Sequence, residues 1–80
     1  MYEHITGRDL IRVLEQMGFV LMKKAGSHAL MKHRQKGLVV TIPENPGPLR
    51  PSTLQAILTQ IQNFNIATRD ELATKLRKWK

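Results

Sequence analysis

The apolar positions of the chain change period as it proceeds. In TGRDLIRVLEQMGF, Leu10, Val13, Leu14 and Met17 fall at i, i+3, i+4 and i+7, the buried stripe of an amphipathic helix. Thr6 can cap its start, with Asp9 three residues on as the partner of a capping-box-like arrangement, and Gly18 is placed to end it in a left-handed turn. The helical period then stops. FVLMKK (residues 19–24) is a short apolar run that reads as a first strand. After a small pivot, Ala25-Gly26-Ser27, the run HALMKH (28–33) reads as a second. Arg34 to Gly37 form a turn, with Gly37 free to take a positive φ. LVVTI (38–42) is β-branched and closed by Pro43, the clearest strand signal in the chain.

PENPGPLRP follows, with four prolines and a glycine in nine residues, which predicts an ordered, turn-rich loop or a hinge. Pro51 or Ser52 opens a second helix, proline being tolerated in a first turn, and Leu54, Ile57, Leu58 and Ile61 repeat the apolar stripe. Asn63-Phe64-Asn65 interrupts it. Thr68 and Glu71 form a capping box for a third helix with an apolar edge of Leu72, Leu76 and Trp79. No internal repeat or low-complexity segment occurs. The expected fold is α+β in the order α-β-β-β-α: a three-stranded antiparallel sheet with two helices on one face, plus a short C-terminal helix. The whole of residues 1–80 is read as a single domain, with a core over about 5–66 and a helical extension over about 68–80. One sheet face remains open to solvent, which leaves room for a surface site rather than a deep pocket.

Length supports that reading, since a chain of 80 residues buries only roughly 60% of its unfolded surface and has little room for a large internal cofactor. No cofactor is expected. The absence of cysteine removes disulfides, thiolate metal sites and cysteine nucleophiles, and fits a reducing, cytoplasmic setting. No apolar run approaches the roughly 20 residues of a membrane span, and MYEHITGRDL lacks the pattern of a signal peptide. Charge alters the picture most. Thirteen Lys and Arg against six Asp and Glu give +7, with a pI near 10.4, so polyanions, nucleic acid foremost, are the expected partners.

The candidate chemistry lies in KKAGSHALMKH, residues 23–33. His4 and His33 have ordinary explanations, the first as a solvated terminal side chain and the second as a solvated or turn-stabilising one. His28 has distinctive neighbours. Gly26 and Ser27 are small and allow a bulky anion to approach the backbone, while Lys23, Lys24 and Lys32 flank it with positive charge. Strand alternation puts His28 and Lys32 on one face, with Leu30 between them. An imidazole exchanges protons near neutrality. Beside cations that hold a phosphate, it can take the proton of an RNA 2′-hydroxyl or protonate the leaving 5′-oxygen. No histidine or carboxylate stands at a metal-ligand spacing from His28, so no metal is expected. Ser27 lacks the G-x-S-x-G surroundings of a serine nucleophile.

Four segments in order, Met17-Gly18-Phe19, Gly26-Ser27-His28, Val40-Thr41-Ile42-Pro43 and Leu54-Gln55-Ala56-Ile57-Leu58, resemble the HicA toxin family over about residues 5–62. The resemblance implies a fold like that of double-stranded-RNA-binding domains. It also implies metal-independent cleavage of messenger RNA with His28 catalytic, a turn shaped by Gly26, and inhibition by a HicB-type antitoxin protein that covers the site. The chain departs from the family pattern in three respects, one being a final helix, Thr68 to Lys80, that extends beyond the shorter family members. The histidine usual shortly after the third segment is missing, where this chain has Pro43-Glu44-Asn45, and Ser52-Thr53-Leu54 replaces Gly-Thr-Leu at the second helix. A scheme with one histidine remains.

Two other readings stand beside the ribonuclease toxin. One is a non-catalytic RNA-binding module of the same fold, with Lys23, Lys24, Lys32, Arg34 and Lys36 on phosphates, although Arg50 is the only basic residue near the start of the second helix. The other is a helix-turn-helix DNA binder, opposed by three consecutive strands between the helices. All three predict salt-sensitive binding to nucleic acid, so turnover is what separates them.

Overall fold

A computed structural model describes residues 4–79 of the chain, without the side chains of residues 78 and 79, so Trp79 of the expected apolar edge lies outside the described side chains. The elements follow the expected order: α1 (Gly7–Gln16), β1 (Phe19–Ala25), β2 (His28–His33), β3 (Val39–Pro43), α2 (Pro51–Asn63) and α3 (Arg69–Trp79). The three strands form one antiparallel sheet in the order β1-β2-β3. Among the described residues no helix is long and apolar enough to cross a membrane.

Local chemistry sets the helix ends. Thr6 accepts the backbone N–H of Asp9 at 3.1 Å while the Asp9 carboxylate accepts that of Thr6 at 3.0 Å. Thr68 and Glu71 repeat the exchange at the start of α3. Each box satisfies two backbone donors that have no partner within the helix. Gly18 takes φ +96° after α1, and Asn65 φ +57° after α2.

The sheet is buried on one side. Phe19, Ala29, Met31, Val40 and Ile42 point into a core shared with Leu10, Val13 and Leu14 of α1 and with Leu54, Ile57, Leu58 and Ile61 of α2. Leu72 and Leu76 of α3 are fully buried in the same core, against α1 and α2. Arg69 fastens α3 to α2 by donating hydrogen bonds to Gln55 Oε1 and, at 2.6 Å, to Thr59 Oγ1.

The other sheet face carries His28, Leu30 and Lys32 of β2 and the exposed Val39 and Thr41 of β3. A bulge in β1 decides what joins them. Leu21 pairs with Met31, but Lys23 rather than Met22 pairs with Leu30, so Met22 is the extra residue. Past the bulge the alternation is inverted. Lys23 shares the open face with His28, and Lys24, opposite the buried Ala29, does not.

His33 ends β2 on the buried side, with 6% of its surface exposed. Its Nδ1 accepts the backbone N–H groups of Lys36 at 3.0 Å and Gln35 at 3.3 Å, so the Nε2–H is the group that donates to the Met17 carbonyl at 3.0 Å. Its ring packs edge-on against Phe19, with centroids 5.0 Å apart. Of the two roles expected of it, His33 has the turn-stabilising one and not the solvated one: it holds the β2–β3 turn against the end of α1, which covers it.

Candidate active site

The chain reverses between β1 and β2 through two residues, Gly26 and Ser27, so that Ala25 pairs with His28. Ala25, expected in the pivot, belongs to the strand. Gly26 has φ +60° and Ser27 does not take a positive φ, the pattern of a type II′ turn, in which the first central residue favours glycine. No atom would lie within 4 Å of a Cβ on Gly26, so the backbone angle calls for glycine and the space beside it is open. The turn is tied to the exit of β3: the Glu44 backbone N–H donates to the Ser27 carbonyl at 2.6 Å.

This arrangement places His28 at the end of the central strand, opposite Pro43 of β3, with an exposed imidazole. Beside it opens a groove of about 410 Å³ between the sheet end, the proline-rich loop and the first turn of α2. Asn45 and Pro46 form one wall, and Arg50 and Thr53 stand on the α2 side. Among the described residues the lining carries an arginine and an imidazole and no carboxylate. The start of α2 adds to this, because it has no side-chain cap and no acidic residue in its first turn, unlike α1 and α3. The positive end of the α2 dipole is therefore uncompensated there. Among the described residues no three carboxylate or imidazole groups converge where a metal ion could sit.

The expected substrate-binding residues distribute unequally. Gly26 and Ser27 adjoin His28 in the turn. Lys23 lies diagonally across from His28 on the open face, roughly 7–8 Å away for such a pair. Lys32 is on the same face but four residues along the strand, roughly 13 Å at the usual rise. Lys24 is on the opposite face, where its ammonium pairs with Glu44 at 3.1 Å. None of the three lysines lines the groove. Asn45, Arg50 and Thr53, which do, were not among the expected site residues. Arg50 has a sequence signal of its own, a basic residue just before the proline that opens a helix.

A family model described as the HicA toxin of bacterial toxin–antitoxin systems matches residues 7–62. The chain belongs to the HicA toxin family. No curated relative and no solved structure matches it. The HicA match runs from the first residue of α1 to the last turn of α2 and includes the hairpin that carries His28. The third helix of this HicA toxin lies outside the match, yet it contributes Leu72 and Leu76 to the common core.

Proposed function

We propose that this toxin is a metal-independent endoribonuclease that cleaves messenger RNA with His28, and that a HicB-type antitoxin silences it by covering the His28 groove. One observation carries the reading: an exposed imidazole, fixed at the end of a central strand, opens onto a groove that, among the described residues, also holds an arginine and no acid. Family membership supports the toxin role and the existence of an antitoxin partner.

The chemistry needs one proton carrier. His28 removes the proton of a 2′-hydroxyl, and O2′ attacks the adjacent phosphorus. The P–O5′ bond breaks, and the imidazolium returns the same proton to the 5′-oxygen. The products are a 2′,3′-cyclic phosphate and a 5′-hydroxyl. Arg50 and the N-terminus of α2 favour the charge that develops on the phosphoryl oxygens.

The test is RNA cleavage in EDTA by the wild type and by His28→Ala, with circular dichroism of both. Scission by the wild type, ending in a 2′,3′-cyclic phosphate and lost in a folded His28→Ala, is the expected result. Wild-type protein that binds RNA without cutting it would make the chain a binding module of the same fold.

A further inference from the structure

The loop Glu44–Leu49 is a ridge with a groove on each side. One groove is that of His28 and Arg50. The other, of about 320 Å³, is lined by Thr6, Arg8 and Glu44, and the two share Asn45, Pro46 and Gly47. The ridge is anchored at both ends. Its entry is held by the Glu44–Ser27 hydrogen bond, and its exit by the Leu49 N–H donating to the Ile5 carbonyl at 2.7 Å, with a bridge between Thr6 and Pro48.

Each groove has one arginine, and both arginines are exposed. Among the described residues neither guanidinium has an ion-pair or hydrogen-bond partner. Glu44, the one carboxylate of the second groove among the described residues, is already paired with Lys24. The crest of the ridge is uncharged and exposed at Pro46 and Gly47. The open sheet face is more mixed: past His28 it carries Leu30 between Lys23 and Thr41, then Lys32 between Val20 and Val39, which is 45% exposed. A guanidinium forks onto phosphate oxygens, whereas the lysines of the sheet face offer point charges set among apolar side chains.

We infer that the single-stranded RNA substrate crosses the proline-rich ridge, with phosphates held by Arg50 on the His28 side and by Arg8 on the far side, rather than running along the sheet face past Lys23 and Lys32. The inference deepens the ribonuclease reading and rests on it for the identity of the ligand. It assigns Arg8, far from His28 in sequence, to substrate binding. It also gives the ridge a role: a spacer, anchored at both ends and uncharged at its crest, that sets the separation of the two phosphate contacts.

The experiment compares two double variants that each remove two positive charges, Arg8→Ala/Arg50→Ala and Lys23→Ala/Lys32→Ala. The probe is a short fluorescein-labelled 2′-O-methyl RNA, which cannot be cut because its 2′-oxygens are blocked, and affinity is read by anisotropy over a series of salt concentrations. Each lost phosphate contact on a single strand lowers the slope of log affinity against log salt by about 0.7. The arginine pair should therefore reduce it by about 1.4 in total, and the lysine pair by clearly less. An unchanged slope in the arginine pair, or equal reductions in both pairs, overturns the path. Cleavage of unmodified RNA in EDTA is measured alongside. If the arginine pair loses slope while the wild type never cuts, the path stands and the catalytic reading fails. If the wild type cuts and the arginine pair keeps its slope, the catalytic reading stands and the path fails.

Discussion

Gly7 and Pro43 meet backbone to backbone: a Cβ on Gly7 would lie 1.9 Å from the Pro43 carbonyl oxygen. The first turn of α1 can approach the end of β3 only because residue 7 has no side chain, and the neighbour it would strike is main chain, which cannot swing aside. Pro43 stands opposite His28 in the sheet. Gly7→Ala should therefore cost about 1–3 kcal/mol, the usual range for overpacking, despite the better helix propensity of alanine. Chemical denaturation measures that loss. Cleavage should fall as well, since relief of the clash displaces the strand end that supports His28.

The two histidines of β2 should respond oppositely. His33→Ala removes the donor to the Met17 carbonyl and the acceptor of two backbone amides. It should destabilise the protein by about 2–4 kcal/mol. His28 is exposed, and His28→Ala should change stability by less than about 0.5 kcal/mol. In thermal melts that difference is a drop of roughly 10 °C or more for His33→Ala, against almost none for His28→Ala. A comparable drop in His28→Ala would mean that its side chain supports the hairpin.

The third helix should be indispensable although it lies outside the family match. Leu72 and Leu76 are fully buried, and burying such a side chain contributes about 1.5–3 kcal/mol. Losing both removes a large part of the 5–15 kcal/mol or so that holds a typical domain together. A chain ending at Ala67 should lose the cooperative melting transition of the full-length protein. Arg69→Ala, which deletes only the bonds to Gln55 and Thr59, should cost about 1–3 kcal/mol and raise hydrogen exchange first in α3.

Gly26→Ala tests the turn beneath the site. No atom stands where the methyl group would go, so the cost comes from φ +60° alone, about 1–2 kcal/mol. The expected outcome is modest destabilisation with a larger loss of cleavage, because the angle of the turn aims His28. Full activity at reduced stability would show that His28 tolerates a shifted turn.

Most of the fold was legible because its signals are local. The stripe Leu10, Val13, Leu14 needs nothing beyond the helical period to become a buried face, and the same holds for Leu54, Ile57, Leu58 and Ile61. Thr6 with Asp9, and Thr68 with Glu71, close their boxes within one turn. Gly18, Gly37 and Asn65 mark reversals through their own backbone preferences. His28 was legible from its neighbours in the chain, since a two-residue turn places Gly26 and Ser27 beside it whatever the rest of the molecule does.

The surroundings of His28 were not legible in this way. Arg50 and Asn45 lie far from it in sequence and line its groove, and Arg8 lines the groove across the ridge, because the proline-rich loop is pinned between Ser27 and Ile5. Adjacent positions ahead of the histidine made Lys23 and Lys24 look equivalent, but the bulge at Met22 put one on the face of His28 and the other on the face where it meets Glu44. His33, read as a turn residue, proved to be buried because the end of α1 packs over it. The amino-acid sequence thus determined the elements, their order and the histidine at the hairpin, through interactions a few residues long. Which cations share its groove was decided by strand register and loop anchoring, which depend on how distant segments pack together.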